Sequence, residues 1–382
     1  MNKRLISAVV ASAALVPGVV CAQSSVTIGG IMDAGVRRDS GSTTGSSNSV
    51  GSGLSQTSRI TFSGIEDMGG GLKAGFVLEA GVALDTGAGA SNPPGVSTGA
   101  FAFGRTSAVA LGSDSAGFIS LGRQYTPIWA VVAGPMNDPF GGSWLGGAPL
   151  LYNKTVITSN SVVYSYGYTA KAMLLPAPKT GLGAAVMLSA PETPSSSTVD
   201  NSVHAGQQFG FNLSYGAGPW WAALAYHQVK GSNSYISATA PVSANPLVKQ
   251  DALTGSYDFG FARLHLGLNW GKGDAYPLTK TLQLDRQAWD IGATVPIGDH
   301  QTVRMIYGVS NDKTLKNADY KSFQIGYQYN FSKRTLVYTG YGQLNNENSA
   351  AGSPVFALTG AQGTYGVGST GRSVIMGIKQ FF

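Results

Sequence analysis

Cysteine is nearly absent from this sequence: Cys21 is the one thiol in 382 residues. Once the first 22 residues are set aside, a disulfide framework and thiol catalysis drop out. Charge is scarce too, with 12% Asp, Glu, Lys and Arg, about half the usual share. The Glu, Lys and Leu content that long helical solenoids or coiled coils need is missing. Beyond Gln23 no run of 18 apolar residues occurs, so no helix is expected to span a membrane. His204, His227, His265 and His300 are scattered, with no pair at zinc-site spacing, and neither a metal nor a cofactor is expected. Glycine, by contrast, is plentiful: the 53 residues are about twice the usual share and follow no collagen period. Six Trp, 17 Tyr and 15 Phe recur in short alternating runs, which argues against disorder.

Residues 1–22 read as a cleaved signal peptide. Lys3 and Arg4 form a basic start, Leu5 to Val20 a mostly apolar run, and Val20 and Ala22 occupy the positions a signal peptidase reads before Gln23. Residues 23–382 are then a single domain, and the loss of Lys3 and Arg4 lowers the formal net charge from +6 to +4.

What fills that domain is alternation of period two. Leu264, Leu266, Leu268 and Trp270 share one face of a strand, with Arg263, His265 and Asn269 on the other. The same rule places Trp289, Ile291, Ala293 and Val295 together, then Val303, Met305, Tyr307 and Val309. Phe323, Ile325, Tyr327 and Tyr329 oppose Ser322, Gln324, Gln328 and Asn330. Alternation alone also fits a soluble sandwich. Three features favour a transmembrane antiparallel β-barrel, an all-β fold. The polar face persists along strands of about 10 residues, long enough to cross a membrane at a tilt. Aromatic residues gather near strand ends, as at Tyr327, Tyr329, Phe331, Tyr338 and Tyr341. Connections come in two sizes. Residues 112–117, 217–219 and 331–334 are tight, whereas 38–57, 85–99, 126–158 and 345–368 are long and rich in Gly, Ser, Thr or Asn.

Sixteen strands are expected, near 24–37, 57–66, 71–84, 101–112, 117–125, 159–167, 181–190, 205–217, 219–230, 251–259, 261–271, 286–296, 301–311, 320–330, 334–343 and 370–382. An even number brings both ends of the chain to the short-turn side, and closure leaves no unpaired edge in lipid. About 16 strands keep the lumen open to water. The stretch 168–181 fits least well, being too long for a tight turn and too apolar for a simple loop.

SSVTIGGIMDAGV at 24–36, SRITFSGIEDMGGGLKAGFVLEAG at 58–81, FGRTSAVALGSDSAGFISLGRQY at 103–125 and the final MGIKQFF at 376–382 together resemble the general porins of Gram-negative outer membranes, most closely the beta-proteobacterial branch. The resemblance is dense over 24–125 and thins beyond. It implies a homotrimer of 16-stranded barrels in the outer membrane, each pore narrowed by an inward-folded third extracellular loop. The implied activity is passive diffusion of small hydrophilic solutes and inorganic anions, without catalysis. Phe382, with Ile378 and Met376 at alternate positions, resembles the signal read by the barrel-assembly machinery; Gln380 fits less well. The outer face of such a barrel would meet lipid and lipopolysaccharide.

Alternation turns Arg59 into the lumen, because Arg59, Thr61 and Ser63 oppose Ile60, Phe62 and Gly64. By resemblance, Arg59 and Arg105 match the family's basic constriction residues, and Arg123 matches its LGRQY motif. Thr158 stands where the family usually carries another arginine, which weakens the expected preference for anions. Arg37, Arg38 and Lys171 are further candidates for the pore lining that could compensate. Residues 126–158 are the candidate constriction loop. Their NDPFGG at 137–142 resembles the family's acidic turn, and Asp138 facing a basic wall would set a transverse field. Tyr125, Trp129, Phe140 and Trp144 are expected to brace that loop. The balance points to a weakly anion-selective pore.

One formal match is discounted. GVGSTG at 366–371 has dinucleotide-loop spacing but precedes an alternating strand rather than a helix. Basic residues form no stripe with interleaved aromatics, so no nucleic acid partner is expected. A substrate-specific channel with a saturable site, an outer-membrane barrel enzyme and a secreted adhesion or carbohydrate-binding module remain as alternatives.

Overall fold

The structure is a computed structural model that describes residues 25–90, 102–151, 155–169, 177–190, 206–230, 247–275, 282–314, 317–347 and 356–382. The expected signal peptide and Lys171 lie outside the described residues.

The strands are β1 (Ser25–Ser42), β2 (Gly45–Ser52), β3 (Arg59–Gly69), β4 (Leu72–Val82), β5 (Gly89–Ala90), β6 (Ser107–Ser113), β7 (Gly117–Tyr125), β8 (Ile157–Tyr166) and β9 (Gly181–Ser189). They continue as β10 (Gln208–Ala217), β11 (Trp220–Lys230), β12 (Leu247–Asp258), β13 (Arg263–Ala275), β14 (Leu282–Ile297), β15 (Gln301–Asp312), β16 (Tyr320–Asn330), β17 (Thr335–Asn346) and β18 (Thr370–Phe381). All pair antiparallel in one sheet of 18 segments. Two of these are not full staves. β5 has two residues, and β2 folds back on the upper half of β1 from Ala34↔Ser52 to Ser42↔Gly45. The remaining sixteen form a closed barrel. β18 closes it on β1 from Ile31↔Phe381 to Ser40↔Arg372, while the lower half of β1 pairs with β3. The last residue shares in the closure, since Gly30 N–H donates to Phe382 O at 3.0 Å. Closure matters because each backbone group left unpaired in lipid costs several kcal/mol.

Each expected strand corresponds to one stave. The departures sit at ends. β1 runs on to Ser42 because β2, whose GSSNSVGS lacks apolar alternation, supplies a partner within a stretch expected to be loop. β6 begins at Ser107 rather than 101, although Glu79 N–H still donates to Thr106 O and Arg105 N–H to Glu79 O.

The outward residues are the apolar ones that alternation assigns to lipid, including Trp289, Ile291, Met305, Tyr307, Phe323 and Ile325, all exposed on the isolated barrel. Near the tight turns Trp220, Tyr257, Phe259 and Phe261 form a chain of neighbouring rings with centroids 4.4 to 5.9 Å apart. Tyr329 and Phe331 repeat the arrangement at 5.1 Å. Such a ring of aromatics suits a membrane–water boundary. No helix among the described residues is long and apolar enough to cross a membrane; the crossing is made by strands.

Candidate functional site: a loop folded inside the barrel

After β7 the chain turns into the lumen. Thr126 caps a short helix, α1 (Pro127–Val132), by accepting Trp129 N–H, and Pro127 supplies the fixed first-turn φ. Ile128, Ala130, Val131 and Val132 are fully buried in an apolar cluster with Ala223, Ala225 and Ala252 from the inner faces of β11 and β12. Each buried Ile or Val of this kind stabilises the docked helix by about 1.5–3 kcal/mol.

Beyond α1 the loop follows the inner wall. His265 of β13 lies 3.1 Å from Met136 O through Nδ1 and 3.1 Å from Thr294 Oγ1 through Nε2. On β14 to β17 the wall itself makes room. A Cβ on Gly292 would meet Pro139 at 2.6 Å, one on Gly308 Leu151 at 2.2 Å, and one on Gly326 Trp144 at 2.8 Å. A Cβ on Gly342 would meet Leu145 at 2.7 Å. These inward glycines form a bed on which the loop rests directly against backbone. Trp144 packs edge-on against Phe140 at 5.5 Å and Tyr338 at 5.1 Å, and Tyr125 stacks on Trp129 at 6.4 Å. The far end is tied by Trp144 N–H to Ser55 O and by Gly147 N–H to Gln324 Oε1.

The wall formed by β1, β3, β4 and β18 carries charge instead. Glu79 is the hub. Arg59 Nε lies 2.9 Å from its Oε1 and Arg105 Nε 2.7 Å from its Oε2. Arg105 Nη2 also donates to Tyr125 Oη at 2.5 Å. The Arg59 side chain keeps 19% exposure and that of Arg105 only 4%, so Arg59 is the more accessible cation. Asp33, fully buried, accepts Ser55 N–H and Oγ–H, Gln56 N–H and the Tyr338 hydroxyl, and it pairs across the strands with Lys379. Lys379 Nζ reaches Gln56 Oε1 at 3.4 Å.

The structure thus brings Arg59 and Arg105 together through a carboxylate. Asp138 sits elsewhere, fully buried within its own loop, where it accepts Phe140 N–H at 3.0 Å and Gly142 N–H at 2.7 Å. Gly147, at φ +54°, gives that carboxylate space, since a Cβ there would lie 2.2 Å from Oδ2. Asp138 acts electrostatically on Asp290 of β14 and Arg304 of β15, on the wall against which its loop rests. Its carboxylate is a turn-former enclosed by the loop, not a group bared to open water.

Arg37 and Arg38 cannot both line the lumen, because successive strand residues face opposite sides. Arg37 points inward but is buried, bound to Asp39, Thr359 O and Ser373 Oγ, and so fastens the 356–369 loop. Arg38 points outward beside Asn48 and is corrected to the outer face. Arg123 follows a bulge at Gly122 and donates to Gly104 O and Ser159 Oγ. Thr158 is buried beside Ser189. Met376 and Ile378 lie on the outward face of β18, and Phe382, just beyond its end, is exposed as well.

Glu79, Lys379, Asp33 and Arg304 escaped the sequence reading. Glu79 could have been found: it follows Val77 on the inward parity of β4, and Thr61↔Glu79 sets it beside the Arg59 strand. Lys379 lies on the inward parity of the closing strand, opposite the terminal signal.

Three comparisons bear on this architecture. A family description, Gram-negative porin, matches residues 8–349. Among curated proteins, outer membrane porin protein 32 of Delftia acidovorans is 29% identical over 92% of this chain and 91% of its own. An outer membrane porin protein of Bordetella pertussis is 28% identical over 88% of this chain and 93% of its own. Among solved structures, an anion-selective porin from Comamonas acidovorans superposes with a TM-score of 0.76 at 26% identity, covering 94% of this chain and all of that one. The trimer form of OmpT from Vibrio cholerae, at 14% identity and a TM-score of 0.67, shares the fold. With its sixteen closed staves and a loop folded inside them, the chain belongs to the Gram-negative porin family and is a passive diffusion channel of the outer membrane.

Proposed function

We propose that the channel is a homotrimeric, weakly anion-selective pore whose narrowest path runs between the inward-folded loop and the wall bearing Arg59, Arg105 and Lys379. The observation that carries this reading is the division of the lumen: the loop packs dry against β11 to β17, and Arg59, Arg105 and Lys379 stand on the side it leaves bare. The weakness of the preference follows from Glu79, which shares its two oxygens between Arg59 and Arg105, and from the negative charge of Asp33, the cross-strand neighbour of Lys379. Partial neutralisation leaves the local field positive but small. The anion selectivity named for the Comamonas protein and the trimer named for the Vibrio protein support the same reading. Lipid and lipopolysaccharide would meet the aromatic belts, and the barrel-assembly machinery the Met376, Ile378 and Phe382 edge. Passive diffusion through an open path also favours a general pore over a saturable channel.

Single-channel recording in a salt gradient tests the proposal. Conductance steps in groups of three with a reversal potential favouring chloride are expected, and Arg59→Ala should move that potential towards zero. A cation-favouring potential in the unaltered protein would overturn the assignment of the arginines.

A further inference from the structure

The connection between β8 and β9 is the segment that fits the strand pattern least, and its described flanks fold into the barrel. Tyr168 and Ala177 are buried in the same apolar cluster as Ile128, Val131 and Val132 of α1. Trp221, pointing inward from β11, donates its Nε1–H to Pro178 O at 3.0 Å. Inward glycines again admit the intruding backbone. A Cβ on Gly183 would meet Pro178 at 2.4 Å, and one on Gly216 would meet Lys179 O at 2.1 Å. This is the device that seats the third loop on β14 to β17, used a second time from the short-turn end.

One side chain joins the two intrusions. Asn212, inward on β10 and buried, accepts the Tyr168 hydroxyl at Oδ1 (3.2 Å) and donates from Nδ2 to Pro127 O at 2.7 Å. Both functions of the amide are used, one on each intruding segment. Burial pushes the Tyr168 phenol above its ordinary value, so its proton stays available to Asn212 at physiological pH. Leaving either buried partner unsatisfied costs about 1–3 kcal/mol.

We propose that Asn212 is a positioning residue that couples the described flanks of the β8–β9 connection, Tyr168 and Ala177 to Lys179, to the first turn of the constriction loop, so that these flanks and α1 together occupy the β9–β12 side of the lumen and confine solute to the Arg59 wall. The proposal rests on the reading of that loop as the constriction. Coupling and constriction can nevertheless be tested separately, because a chain produced from Gln23 contains no cysteine and a single introduced thiol reports on one place.

Ala177→Cys in the refolded trimer should react slowly with a small charged methanethiosulfonate, because Ala177 is buried. Adding Asn212→Ala should speed labelling by roughly 10-fold, the loss expected from one buried hydrogen-bonding group. The same substitution, without the cysteine, should raise single-channel conductance and open-channel noise while trimer melting stays close to the unaltered value. Tyr168→Phe keeps the ring and removes one bond, so it should produce the same changes to a smaller extent. It also decides the question if Asn212→Ala does not fold. Rapid labelling of Ala177→Cys in the otherwise native barrel would overturn the proposal, as would unchanged labelling in both variants. Faster labelling with unchanged conductance would uphold the coupling and remove the loop from the constriction, which separates the two readings.

Discussion

The two inner walls of this barrel are built on opposite principles. The wall from β9 to β17 presents glycine and alanine where the apolar loop side chains rest, with its charges, Arg286, Asp290 and Asp312, buried among them, whereas the wall of β1, β3, β4 and β18 presents Asp33, Arg37, Arg59, Glu79 and Lys379. A lumen is usually pictured as uniformly polar. Here the small residues on one side mark where protein replaces water, and the charges on the other mark where water stays. The position of the loop is therefore encoded twice, in its own apolar residues and in the wall that gives way beneath them. The path left to solutes is the complement of that contact.

The largest expected disruption of this contrast is on the covered wall. Trp144→Ala empties the space above Gly326 and Gly340 and removes the ring contact to Tyr338. Loss of a buried Trp typically costs about 3–5 kcal/mol. Here the cost falls on loop attachment, because the barrel ladder is untouched. Limited proteolysis within residues 133–147 should accelerate strongly, with conductance rising and becoming noisy, while the heat-resistant barrel persists. A loop as resistant as before would mean that the glycine bed alone holds it.

On the bare wall the effects should be smaller in stability and larger in selectivity. Glu79→Gln removes the one carboxylate shared by Arg59 and Arg105. Two unneutralised guanidinium groups would then face the path, and the anion preference should rise, the reverse of Arg59→Ala. Arg105→Ala leaves Glu79 paired only with Arg59 and removes the guanidinium donor from Tyr125. Breaking one side of a buried pair typically costs about 3–5 kcal/mol. Retention of the Arg59 pair should keep the loss at the lower end. Reversal potentials for the three variants, measured in one salt gradient, should fall in the order Glu79→Gln, unaltered, then the two arginine variants. Any other order breaks the assignment of the charged wall.

Asp33→Asn is expected to be milder. The amide preserves the shape and one acceptor oxygen but loses charge at a site that binds Ser55, Gln56 and Tyr338. Hydrogen bonds to a charged group contribute about 1.5–3 kcal/mol, so thermal melting should fall modestly. Selectivity should move towards anions, because Lys379 opposite would lose its counter-charge.

Much of this was legible in the sequence because lipid imposes period two on every stave. Arg59 could be placed inward from the opposition of Ile60, Phe62 and Gly64, with no knowledge of its neighbours. The inward parity of Glu79 was legible, but its pairing with Arg59 was not, since that rests on the register of β3 against β4. The same limit hid Lys379, which meets Asp33 through the closure of the last strand on the first. Asp138 shows a different limit. A turn aspartate and a pore aspartate have the same sequence, and only the folded loop shows the carboxylate occupied by Phe140 and Gly142 N–H groups. The long connection after β8 looked anomalous in part because Tyr168 and Ala177 serve the interior of a lumen and not a face in lipid.

The smallest expected effect tests the contrast between walls at its finest scale, one residue apart. Arg37 and Arg38 are neighbours in sequence with equal charge, yet the strand turns them to opposite sides of the barrel. Arg37→Ala would leave Asp39 buried beside Ser373 without its guanidinium and would detach Thr359 O, loosening the 356–369 loop at the mouth. Arg38→Ala removes only an exposed contact to Asn48 on the outer face. Exposed contacts of that kind are worth about 0–1 kcal/mol, and the charge is separated from the lumen by the sheet. Reversal potential and conductance should therefore be unchanged in Arg38→Ala while Arg37→Ala alters conductance noise. A selectivity shift in Arg38→Ala comparable to that of Arg59→Ala would mean that the outer charges shape the field in the pore, and the division between the two walls would no longer account for selectivity.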